Sequence, residues 1–358
     1  MVYVPVEVRN DVGAFCNAQN NKTNTLGRYL TKPCSMTGNL RWSLPDRNYL
    51  PATLNGITTF DMFLIRQHIF GTKPFVNPFQ KIAADVNNSA IISTFDIVLI
   101  QRLLLGFTTN FLIDPISAPN GISWRYVPKL YTGDPDFWSD FSADPFTAEA
   151  SDPFTSIKRK YNDQQFGVAV PNPKTWMDFV HLHTNSNYSS NEDAWSFTGI
   201  KLGDVNCNAI TEGNPFLGDD HEFFFDSTSL ANLNFSGTRR VQVIASASEE
   251  VVAWQFGTRY VSDSLVLFNL APGTDTELFD EENFNIAPGG YLSAPGHFRA
   301  VWYAEDGEPV SIHNKVLFEF DMTTSQGVVN LTNALQLDKN VLPFFFYNED
   351  GDLVPNVS

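Results

Sequence analysis

Basic charge is scarce in this sequence: 23 Lys and Arg stand against 40 Asp and Glu, giving a formal net charge of -17 at pH 7. A nucleic-acid binder needs clustered cations for its phosphates. The short run Lys158-Arg159-Lys160 reads as a solvated patch, so nucleic acid is excluded as a partner. No apolar stretch reaches the length of a membrane-spanning helix. The start, Met1 to Val8, alternates like a strand and has no basic opening of the kind that begins an export signal, so the expectation is a removed signal or a piece of a longer chain. Motif-borne catalysis is missing too, with no Gly-x-Ser-x-Gly elbow, phosphate loop or HExxH, and the chain is expected not to be an enzyme. Cysteine is limited to three. Cys16 and Cys34 flank one loop and are expected to pair in an oxidising compartment, the alternative being two thiols, while Cys207 is left over. His181-Leu182-His183 and Asp219-Asp220-His221-Glu222 each lack the second ligand pair of a transition-metal site.

With 358 residues, 43% of them hydrophobic, the chain can bury sizeable cores in two or three domains. It is organised around a stretch that occurs twice, Ile57 to Gly71 and Ile92 to Gly106, at an offset of 35 residues (92 minus 57). In each copy a hydroxyl residue (Thr58, Ser93) stands three before a carboxylate (Asp61, Asp96), the spacing that caps a helix start. Apolar residues follow at helical spacing, and each copy closes on a glycine that caps in the left-handed region, so two short helices are predicted.

The residues before the second copy supply its chemistry. Asp85, Asn87, Ser89 and Ser93 stand at positions 1, 3, 5 and 9, the Ile91 carbonyl at 7 and Asp96 at 12, the oxygen set of a Ca²⁺ loop. On these residues the segment from about Asn55 to Phe107 resembles a type I dockerin, whose two calcium loops each feed a helix. It departs from that family at Ala90, where glycine is usual, and in its first loop, which begins Leu50-Pro51-Ala52 and has no acidic ligand before Asp61. Asp204, Asn206 and Asn208 read as positions 1, 3 and 5 of a loop that no helix pattern follows. They are expected either to join the Gly56 or Ile57 carbonyl, Thr58 and Asp61 in a split calcium site, or to form an Asx-rich turn.

Residues 1–50 resemble part of a small β-sandwich of the prealbumin or carboxypeptidase-regulatory kind, and 51–210 form the dockerin-like block with an aromatic, Pro- and Asp-rich insertion at 108–200. Within it Ser123 to Tyr126 and Gly199 to Asn206 resemble stretches of Bacteroidetes surface proteins. The insertion's rings are expected to pack on the helices; Trp124, Tyr126, Trp138 and Trp176 are the alternative, an exposed glycan platform. Residues 221–358 change to short period-two runs, a predicted antiparallel sandwich. Ala253 to Phe256 with Val316 to Asp321 resemble paired strands of a cohesin, the dockerin's usual partner. The predicted fold is therefore multidomain α+β: a dockerin-like calcium module followed by a cohesin-like sandwich. The predicted function is a calcium-stabilised, extracellular structural or adhesive surface protein that binds protein, including copies of itself head to tail; the alternative is a carbohydrate-binding or scaffolding component of a polysaccharide-utilisation system.

Overall fold

In the computed structural model the described residues are 7–10, 40–43, 54–87, 89, 91–111, 123–128, 181–183, 197–209, 234–235, 238–245, 249–260, 265–273, 281–287, 291–292, 296–324, 329–330 and 335–354. Their elements run in the order β1 (Glu7–Asn10), β2 (Leu40–Ser43), α1 (Thr59–Phe70), α2 (Pro78–Ala84), α3 (Thr94–Leu104), β3 (Trp124–Pro128), β4 (His181–His183) and β5 (Phe197–Lys201). There follow β6 (Asn234–Phe235), β7 (Thr238–Ala245), β8 (Ala253–Tyr260), β9 (Leu265–Pro272), β10 (Ile286–Ala287), β11 (Tyr291–Leu292), β12 (His297–Tyr303), β13 (Lys315–Thr324), β14 (Val329–Asn330), β15 (Leu335–Leu337) and β16 (Phe345–Tyr347). The described residues are thus mostly β, with antiparallel pairing throughout and few helices. None of those helices is long and apolar enough to cross a membrane.

The chain divides into two compact units, one of Met1–Gly56, Lys73–Asp96 and Asn110–Pro215, the other of Ile57–Thr72, Ile97–Thr109 and Phe216–Ser358. The block 51–210 contributes to both. In the first unit β1, β2 and β4 form one sheet and β3 pairs with β5, Trp124 opposite Lys201. Helix α2 lies along β5, where Gly203 donates its N–H to the Ala83 carbonyl at 2.8 Å and Gln80 Nε2 donates to the Val205 carbonyl at 3.0 Å. Sequence reasoning missed α2, although Asn77-Pro78 announces it. The Asn77 side chain accepts the Phe79 N–H at 2.9 Å, and proline at the first helical position loses no bond.

The second unit is a sandwich with two helical segments docked on it. One sheet has β8 at its centre, paired with β12 on one side and with β15 and β16 on the other; the facing sheet has the order β7-β13-β9. Between them lies an aromatic core. Trp254, fully buried, stacks on Phe256 with centroids 5.6 Å apart, and Phe256 stacks on Phe318 at 5.6 Å, spacings that suit offset rings. Strands β7, β9, β12, β13 and β16 fall within the predicted runs or a few residues of them.

The alternation along β8 shows what else covers it. Trp254, Phe256 and Thr258 face the other sheet, and Ala253, Gln255 and Gly257 point the opposite way, yet all six are buried. The turn at 338–342 covers one end: a Cβ on Gly257 would come 2.5 Å from the Leu342 amide nitrogen. Gly257→Ala is therefore expected to force that turn away at a cost of about 1–3 kcal/mol, typical of overpacking, and thermal unfolding checks it. Helix α1 covers the rest.

Candidate functional site

Both helices begin as the repeat dictates. Asp61 Oδ2 accepts the Thr58 N–H at 2.8 Å and its hydroxyl at 3.0 Å, and Asp96 Oδ2 accepts the same pair from Ser93 at 2.9 and 3.1 Å. Both also stop as predicted: Gly71 and Gly106 take φ of 74° and 80°, with N–H bonds to the His68 and Leu103 carbonyls at 3.1 and 3.0 Å. Glycine alone adopts this conformation without strain.

Ahead of α3, the predicted ligands gather in one loop of the first unit. Asp85 Oδ1 and Asn87 Oδ1 both accept the Ser89 N–H, at 2.9 and 2.8 Å. The Ser89 hydroxyl lies 3.5 Å from Asp85 Oδ1 and donates to the Ile91 carbonyl at 3.0 Å. Asp96 Oδ1 turns back to the Asn87 N–H at 3.3 Å while Oδ2 caps the helix. Asp85 and Asp96 are both fully buried, and burial, with the Asp85 charge beside it, pushes the Asp96 carboxyl up to about 6. Two carboxylates with amide, hydroxyl and carbonyl oxygens fit a hard cation such as Ca²⁺, and among the described residues no three His, Cys, Asp or Glu side chains gather as a softer ion would need.

The Asp204 loop repeats this half-turn. Asp204 Oδ1 and Asn206 Oδ1 both accept the Asn208 N–H, at 3.0 and 3.2 Å, the pattern made by Asp85, Asn87 and Ser89. Asp204 Oδ2 accepts the Ala209 N–H at 2.9 Å. Ala209 in turn sits against Gly56, where a Cβ would come within 2.6 Å of the Ala209 Cβ. With φ of 76°, Gly56 is doubly required to be glycine. The structure thus brings Gly56 to the Asp204–Asn208 loop, as expected from sequence, whereas Thr58 and Asp61 belong to the second unit. Burial raises Asp204 to about 6 and lowers the neighbouring Lys201 to about 8, their opposite charges partly offsetting both effects.

The glycan platform needs correction. Trp124 is 3% exposed and faces the Lys201 ammonium, 5.6 Å from its ring centroid, so it presents no ring face to a sugar. Trp138, Trp176, Cys16 and Cys34 lie outside the described residues, as does the Tyr126 side chain. Cys207 is an exposed thiol at φ 62°.

Sequence reasoning also missed the face beneath α1. In the register of the β8 sheet, Val301 stands opposite Gln255, and Phe345 and Tyr347 opposite Gln255 and Ala253, so these side chains share the outer face. Phe60 of α1 stacks on Tyr347 with centroids 5.2 Å apart, and Phe63 follows at 5.9 Å from Phe60. Around the rings the contacts are polar: the Thr59 N–H donates to Gln255 Oε1 at 3.0 Å, and Arg66 Nε donates to the Glu305 carbonyl. At the end of α3, Arg299 Nη1 donates to the Leu104 carbonyl at 3.0 Å and Gln101 Nε2 to the Glu282 carbonyl at 3.1 Å. The signal was present in the glutamine at 255, a polar residue in mid-strand that needs a partner if buried.

No family model matches the chain, and no curated protein matches it. Among solved structures, the crystal structure of a CaDoc0917–CaCohA2 complex, a dockerin–cohesin pair, at pH 5.5 is similar at 18% identity. The match covers 35% of this chain and 84% of that one with a TM-score of 0.25, too slight a likeness to settle the fold.

Proposed function

We propose that the chain is a noncatalytic extracellular structural or adhesive protein, in which calcium fixes a dockerin-like helix pair and a cohesin-like sandwich supplies a helix-docking face for protein partners, copies of itself included. The observation that carries the reading is the outer face of the β8 sheet, buried beneath the N-terminal turn of α1, whose Thr59 N–H bonds Gln255 and whose Phe60 stacks on Tyr347. A sheet that gives this face to a separately capped helix is a protein-recognition surface.

Asp85, Asn87, Ser89, the Ile91 carbonyl, Ser93 and Asp96 would hold one ion, and Asp204, Asn206 and Asn208 beside Gly56 a second. The ion would neutralise the Asp85–Asp96 repulsion and fix the entry to α3. Low ligand charge suits extracellular modules that bind calcium at on the order of 10⁻⁴–10⁻³ M, which supports the cell surface as the site of action. The carbohydrate-binding alternative loses Trp124 from its platform.

Size-exclusion chromatography and electron microscopy at high protein concentration, with calcium and with a chelator, test the reading. Assembly that calcium supports and chelation disperses is expected. A monomer indifferent to both overturns calcium-dependent assembly.

A further inference from the structure

Residues 216–358 contain every described strand of the sandwich and follow the preceding chain through one peptide connection. The other two segments of the second unit, Ile57–Thr72 and Ile97–Thr109, each enter the unit and leave it again. Whatever else holds the sandwich to these helices is noncovalent. That seam mixes rings and polar contacts as interfaces between molecules do: an aromatic stack, Phe60 on Tyr347, lies among the bonds of the Thr59 N–H with Gln255 and of Arg66 with Glu305. Phe60 and Phe63 of α1 continue the hydrophobic cluster that fills the interior between the two sheets.

We propose that the sandwich is a detachable module, which docks on α1 of its own chain and, in an exchanged assembly, on α1 of a second copy. The occupant is a second copy because both halves of the seam are on every chain. The exchanged contact is chemically identical to the internal one, so the two states differ in the entropy of association and in the conformation of the linking segment. Reciprocal exchange closes a two-fold dimer, and one-way exchange from chain to chain leaves an unsatisfied half at each end and grows an open filament. This deepens the self-assembly reading above, on which it rests for its biological sense, but requires no bound ion.

Full-length variants broken on opposite halves provide the test. Phe60→Arg spoils the helix half, and Val301→Arg, at a buried outer-face position opposite Gln255, spoils the sheet half. Mixed one to one in calcium, they retain one intact helix and one intact face between them. A species of twice the monomer mass by light scattering is expected in the mixture and in neither variant alone. No such species, from variants that keep their near-ultraviolet circular dichroism, overturns the proposal. Independently of whether these variants fold, isotopically light and heavy wild-type chains are refolded together at high concentration and weighed by native mass spectrometry. Mixed-mass dimers support exchange; monomers at every concentration refute it. A calcium titration run alongside keeps the two ideas apart, since a flat isotherm removes the metal and leaves exchange standing.

Discussion

Asp96→Ala is expected to abolish the calcium-dependent rise in thermal stability and to fray the first turn of α3 with or without the ion. The side chain has two tasks, one for each oxygen. Oδ2 accepts both the N–H and the hydroxyl of Ser93, and losing such a cap costs about 0.5–2 kcal/mol. Oδ1 faces the loop, next to Asn87. An ion that binds only the folded chain adds about 2.7 kcal/mol at a hundredfold excess over its dissociation constant, and this increment should vanish entirely. Calorimetry of wild type and variant, in calcium and in chelator, separates the two losses. Ser93→Ala removes the hydroxyl bond to the cap and one proposed ligand together, but leaves the backbone bond to the cap. A wild-type melting temperature that calcium does not move would refute the metal assignment.

Trp254→Ala is expected to cost about 3–5 kcal/mol, the usual penalty for emptying an aromatic site in a core. Trp254 is fully buried, stacked on Phe256, and within ring contact of Phe318 and Phe346 at 6.4 Å each. Two of these neighbours come from β8 and β16 and the third from the facing sheet, so the void would open where the layers meet. Domains of this kind are stable by about 5–15 kcal/mol, and the loss is a large part of the total. Urea unfolding followed by near-ultraviolet dichroism measures it. A change below about 1 kcal/mol would mean that the rings close over the gap.

The parts of the fold written in local chemistry were legible beforehand. Thr58 with Asp61, Ser93 with Asp96, and the glycines at 71 and 106 specify two helices within one turn of their ends, and no distant residue is needed. The oxygen side chains that gather in the Asp85 loop were equally plain, being set by spacing along one short segment. What could not be read was long-range. Gln255 and Thr59 lie 196 residues apart and carry no mutual signal, so the docking of α1 on β8 was invisible. Trp124 was expected to pack on the helices, with a sugar platform as the alternative; its burial comes instead from the pairing of β3 with β5, which register alone decides. Gly56 was the exception among distant relations, since the Asp204 half-loop pointed back to the segment before α1, and Ala209 sits against Gly56.

One consequence follows from the enclosure of β8. Its sequence, Ala-Trp-Gln-Phe-Gly-Thr-Arg-Tyr, combines aromatic and threonine side chains with a single charge, the composition that nucleates fibrous aggregates when left bare. Neighbouring strands take both of its hydrogen-bonding flanks, while a second layer and a helix take its two surfaces, so no foreign chain finds a template there. The helix is thus a safeguard against aggregation of the strand beneath it.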